Sequence, residues 1–140
     1  MTTVLDLDKA CIATREELTR RLTDGHPKLH NISLAGYDLS GTDFRHARVE
    51  RPNLEKCSMR DCNLEGCRFA HANMDDINLS WANLCDAVFS QSSLMGANLR
   101  DMAVLRTDFT NCNMVCARLN GYWEFVRLDG CRVDYARLDN

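Results

Sequence analysis

Between residues 69 and 89 the chain reads FAHANMDDINLSWANLCDAVF, and its large apolar residues fall five apart: Phe69, Met74, Leu79, Leu84, Phe89. An α-helix turns in about 3.6 residues and a strand alternates in two, so neither buries a strict period of five on one face. The pattern extends well beyond this stretch. From Leu34 to Leu119, eighteen consecutive positions at this spacing are all apolar, where roughly half would be at average composition. A second column lies two residues earlier and is mostly small, as at Ala47, Cys57, Cys62, Cys67, Ala72, Ala82, Ala87 and Ala97. Between the columns sits a polar residue, often asparagine: Asn53, Asn63, Asn73, Asn78, Asn83, Asn98, Asn113. The two positions after the large residue are mixed and often charged. Past Leu119 the frame slips by one. Glu124 breaks the column, and Trp123, Leu128, Val133 and Leu138 restore it, so one repeat near residues 120–123 is a residue short.

Tandem units such as HANMD, WANLC and GANLR carry the pattern small–Asn–large–x–x. In this the chain resembles the pentapeptide repeat family over about residues 31–139. The resemblance implies an all-β solenoid, a right-handed quadrilateral β-helix in which each unit forms one side of a square coil. The spacing is compatible with that shape. A corner every five residues turns the large residue inward, and only a small group fits at the corner beside it, as close packing requires. Twenty-two units give about five and a half coils, and at strand spacing a rod about 26 Å long. Taking every twentieth residue predicts a core ladder of Val49, Phe69, Phe89, Phe109 and, after the slip, Leu128. Trp123 is expected to stack in another wall, below Val104.

Residues 1–30 lack the period and are read as an N-terminal helical cap, with residues 31–140 as the β-helix. The stretch TREELTRRLTDGHP has helix punctuation: Thr14 as N-cap with Glu17 three later, Leu18 and Leu22 on one stripe, Gly25 and Pro27 as stops. A helix over residues 14–24 is the expected lid of the first coil, because an open solenoid end exposes core and unpaired strand edges. At the other end, where the repeats run to YARLDN, no comparable lid is expected.

Composition narrows the function classes. Seventeen Lys and Arg stand against twenty Asp and Glu, a net charge of −3. That balance points away from direct nucleic-acid binding. No apolar run is long enough to span a membrane, and the first residues lack the layout of a signal peptide; the expectation is a cytoplasmic protein, bacterial in the resemblance. Eight cysteines show neither C-x-x-C nor zinc spacing. Cys57, Cys62, Cys67, Cys112 and Cys131 take the small inward position, where a reduced thiol behaves as a small hydrophobe. None of these five is expected to stack on another at a spacing of twenty. The histidines, the Asp75–Asp76 pair and the seven glycines, read as scattered turn residues, form no catalytic constellation and no phosphate loop. No catalytic residue, cofactor site or metal site is therefore expected.

The informative residues are apolar ones in outward positions. Leu105, Tyr122 and Phe125 fall on adjacent coils near the C-terminal end and form a candidate interface, since clustered exposed apolar side chains mark docking sites. Trp81 is a further candidate, although alone it is an ordinary exposed residue. The first functional expectation is a non-enzymatic module presenting a rigid surface to a protein partner, with a possible homodimer through the C-terminal coil. The family resemblance implies an alternative. Some pentapeptide repeat proteins look like a DNA duplex and bind type II topoisomerases, protecting gyrase from inhibitors. This chain departs from those members in its mild charge, in the arginines along its walls, and in having neither a loop insertion nor a dimerisation helix after the repeats.

Overall fold

The computed structural model of the chain describes residues 15–23 and 28–139. From Lys28 onward the backbone forms a β-solenoid of about 6 turns, preceded by one short helix. Strands β1 (Lys28–His30), β2 (Arg48–Glu50), β3 (Arg68–Ala70) and β4 (Val88–Ser90) stack in parallel, Leu29 on Val49 on Phe69 on Phe89. Strands β5 (Asn98–Leu99), β6 (Arg118–Leu119) and β7 (Arg137–Leu138) form a second parallel ladder. Single parallel bridges join the remaining sides, from Ser33 through Asn53 and Asn73 to Ser93, and from Asp43 through Asn63 and Asn83 to Ala103. Partners twenty residues apart with a corner every five residues give four walls per turn. The first wall carries β1–β4. The second is centred on Leu34 and Leu54, the third on Leu39 and Met59, and the fourth on Phe44 and Leu64.

The corners explain the repeat. The carbonyl of Leu34 accepts the N–H of Tyr37 at 3.0 Å, that of Leu54 the N–H of Cys57 at 3.1 Å, and that of Leu84 the N–H of Ala87 at 3.0 Å. The residue two after each large one has a positive φ, at sixteen non-glycine residues and six glycines between Asn31 and Tyr135. A bond from residue i to i+3 with positive φ at i+2 is a type II turn. The asparagine column serves these turns. Asn53 Oδ1 accepts the N–H of Glu55 at 3.2 Å, and Asn73 Nδ2 donates to Asn53 Oδ1 at 3.3 Å, so one side chain ties its own corner and the next coil. The small column supplies donors as well as space: Cys57 Sγ to the Leu34 carbonyl at 2.7 Å, Thr107 Oγ1 to that of Leu84 at 2.8 Å.

All eighteen large-column residues from Leu34 to Leu119 are buried. Phe69 stacks on Phe89 with ring centroids 5.4 Å apart, and Phe89 on Phe109 at 5.1 Å. Below Phe109 the ladder departs from expectation. The next ring is Trp123, stacked on Phe109 at 5.8 Å, while Leu128 is 44% exposed. The short repeat is the cause. Pairing runs at twenty for Asn98 and Arg118 but at nineteen for Leu105 and Glu124. The missing residue lets the larger indole reach the axis from the fourth wall, pinned by its Nε1–H donating to the Asn120 carbonyl at 3.1 Å. The same slip corrects a reading of the cysteines: Asn113 pairs with Arg132, which sets Cys112 and Cys131, nineteen apart, on successive coils of one corner.

At the other end, β1 starts the coils at Lys28 rather than residue 31, because Leu29 continues the apolar column one step upstream and is fully buried. The helix α1 (Arg15–Leu22) buries Leu18 completely with the solenoid core, and Leu22 packs partly against it. The expected N-cap Thr14, the side chain of Glu17, and the stops at Gly25 and Pro27 lie outside the described residues.

Candidate functional site

The titratable side chains of the walls are mostly engaged with one another. Asp86 takes a two-pronged contact from Arg106 at 2.6 and 2.7 Å, and that hydrogen bond holds its carboxyl below the usual range. Asp43 is lowered in the same way by Arg45. The inward thiols go the other way: burial pushes Cys112 up to about 12 and raises Cys57 and Cys131, leaving them poor nucleophiles at neutral pH. Among the described residues no group of three or more His, Cys, Asp or Glu side chains is placed to hold a metal ion. Nor is any helix there long and apolar enough to cross a membrane.

The apolar residues give a different picture at the last coil. Leu128, Val133 and Leu138 belong to the inward column, yet they are 44%, 48% and 79% exposed. Among the described residues no further coil covers them. With Met114, Leu119 and Trp123 they line a cavity of about 290 Å³ at the open end of the core. The coil around it is held to its neighbour by backbone bonds, such as Met114 N–H to the Arg132 carbonyl at 2.7 Å. Asp139 on this coil accepts from Arg100 and lies 3.6 Å from Arg118, two coils' arginines on one carboxylate.

The outward candidates divide. Tyr122 is 93% and Phe125 79% exposed, on either side of Trp123, so both flank the open end. Leu105 is half-buried; its bridge to Glu124 places it one coil above, beside Phe125. Trp81 is exposed at a corner of the third wall, between Asp61 and Asp101 in the same column. Sequence reasoning missed Leu128, Val133 and Leu138, which it counted as core. They are the last members of their columns among the described residues.

A family model for pentapeptide repeats matches residues 62–101 in eight copies. Residues 62–101 are thus a run of pentapeptide repeats. Two solved structures share the fold. One is the pentapeptide repeat protein Rfr23 from the cyanobacterium Cyanothece 51142, 18% identical over 80% of this chain and 84% of that one, with a TM-score of 0.52. The other is a trypsin-treated variant of QnrB1, a plasmid-mediated fluoroquinolone resistance protein, 18% identical over 80% of this chain and 73% of that one, with a TM-score of 0.53. No curated protein matches the chain in sequence. At such identity the likeness to the two structures is one of fold.

Proposed function

We propose that this pentapeptide repeat chain is a non-enzymatic protein-interaction module, and that its open last coil receives a second copy of itself. The exposure of Leu128, Val133 and Leu138, inward residues that no coil covers among the described residues, carries the reading. Burying a large apolar side chain is worth roughly 1.5–3 kcal/mol gross. Among the described residues β7 has no strand on its outer side, and a partner edge satisfies the backbone groups of such an edge. A two-fold arrangement uses the same surface twice and closes, whereas head-to-tail stacking on such an edge would grow into a filament. Around the rim Arg127 and Arg132 pair with Asp129 and Asp134, and Asp139 takes Arg100 and Arg118, so the rim is charge-balanced and presents no net repulsion to a second rim; exposed pairs themselves add little energy. Sedimentation equilibrium over a hundredfold concentration range tests this. A dimer is expected, shifted to monomer by Leu138→Glu or Phe125→Glu. A monomer at the highest concentration overturns self-association, and a dimer indifferent to both substitutions moves its interface to another surface.

The shared fold with QnrB1 motivates a second reading, modulation of a type II topoisomerase by mimicry of DNA. Mimicry of a duplex needs continuously negative walls, and the first wall here begins with the row Lys28, Arg48, Arg68. A gyrase supercoiling assay with and without a quinolone separates the readings: no effect at saturating protein leaves the interaction module.

A further inference from the structure

The register of the first wall stacks Lys28 on Arg48 and Arg48 on Arg68, three cations on successive coils. At strand spacing their backbones are about 4.8 Å apart. Among the described residues none of the three has an ion pair, although ion pairs are common elsewhere on the walls. Glu50, the acid on this part of the wall, lies 3.3 Å from His30 and 3.9 Å from Arg51. Beside the row runs a shallow cleft of about 410 Å³, floored by Val49 and Ala70 and edged by His30 and Glu50.

The fold does not ask for cations in this row. Further along the same wall the position is held by Val88, by Asp108 and then by Arg127, a cation that, unlike the first three, is paired, lying 3.3 Å from Asp108. On the other walls it is held mainly by Asn, Asp and Ser, which tie the corner: on this wall too, Asp108 Oδ1 accepts the N–H of Thr110 at 2.8 Å. Lys28, Arg48 and Arg68 forgo that bond, and like charges facing each other across adjacent strands are destabilising. A residue choice that weakens the fold and is left without a counter-charge is explained by an anion from outside.

We infer that the row Lys28–Arg48–Arg68 is a docking site for an extended acidic segment of a partner protein, lying along the solenoid axis. This deepens the interaction-module reading and rests on it, on a surface separate from the open end. Charge complementarity selects the class of ligand, and the size of the patch selects a peptide over a nucleic acid. The row spans three coils, about 10 Å, and in a strand two acidic side chains at i and i+2 face one way about 7 Å apart. A longer polyanion would run on past the row to Asp108, or round the corner to Glu55, Asp75 and Asp76, and be repelled.

Fluorescence anisotropy on the full chain tests the inference, using a labelled peptide of alternating Glu and Thr, its Gln–Thr counterpart, and a single-stranded DNA oligonucleotide of equal charge. The Glu–Thr peptide is expected to bind, more weakly as salt rises, with the Gln–Thr peptide at least tenfold weaker. Arg48→Asn with Arg68→Asn is expected to cut binding tenfold or more while raising the denaturation midpoint, because repulsion is relieved and the corner bond restored. A merely structural role for these arginines predicts a lower midpoint. Arg132→Gln, on the second wall, leaves peptide binding unchanged. No salt-dependent binding of the Glu–Thr peptide, equal binding by the double variant, or tighter binding of the oligonucleotide each overturns the inference. The sedimentation result for the open end stands independently of all three outcomes, so loss of this site is distinguishable from loss of the module reading.

Discussion

Gly36 has a φ of 75° and nothing within 4 Å of where a Cβ would stand. It isolates the cost of the left-handed corner from any clash. Gly36→Ala is expected to cost about 1–2 kcal/mol through backbone strain alone, read as a lower midpoint in urea. Six of the seven glycines sit in this one column, so their apparent scatter was a period of five. It was hard to see because the other members range from Asn31 and Asp76 to Trp81 and Tyr135, side chains that share a conformation and no chemistry. The thiols make a second residue-scale prediction. Below pH 9 Cys112 is protonated whether the chain is folded or not. Above it the unfolded thiol ionises near its ordinary value of 9.0, while in the fold burial delays ionisation to about 12. Ionisation therefore favours the unfolded chain, and stability falls as pH rises from 9 toward 12. Cys112→Ala, a residue this column already uses at Ala72 and Ala82, is expected to fall less steeply in urea titrations across that range.

At the scale of the element, the ladder and its lower end behave differently. Phe89 is fully buried between two stacked rings, and Phe89→Ala is expected to cost roughly 3–5 kcal/mol through the cavity it leaves. Leu128→Ala, in the same column but partly exposed, is expected to cost well under half of that. Equal losses by chemical denaturation would show Leu128 to be core after all. The contrast marks where the sequence was legible. The five-residue period located the corners, the inward columns and the slip, because backbone pairing enforces them coil after coil. It did not foretell that Trp123 would continue the stack, since register sets which backbones adjoin, and side-chain volume then decides which ring fills the axis. Nor did it foretell that Cys112 and Cys131 would share a corner: that follows only when the slip is carried through the register.

At the scale of the whole molecule the candidate surfaces were less legible than the fold. Tyr122 and Phe125 were visible as apolar residues in polar positions, but exposure of the last inward residues depends on what lies beyond them, and the basic row emerges only when positions twenty apart are laid side by side. The pairing interval has a further consequence. Because each coil contacts only its neighbours, the angular position of any wall residue is its number counted modulo twenty, and only the slip disturbs the count. Removing one whole coil between β3 and β5 would shorten the rod and leave the basic row and the aromatic pair Tyr122 and Phe125 at the same mutual bearing. Removing a single five-residue unit there would conserve every corner and column yet swing the end of the rod a quarter turn against its beginning. The chain thus carries two independent adjustments, length in steps of twenty residues and bearing in steps of five, and a partner that grips both surfaces at once would be sensitive to the second even where the fold is not.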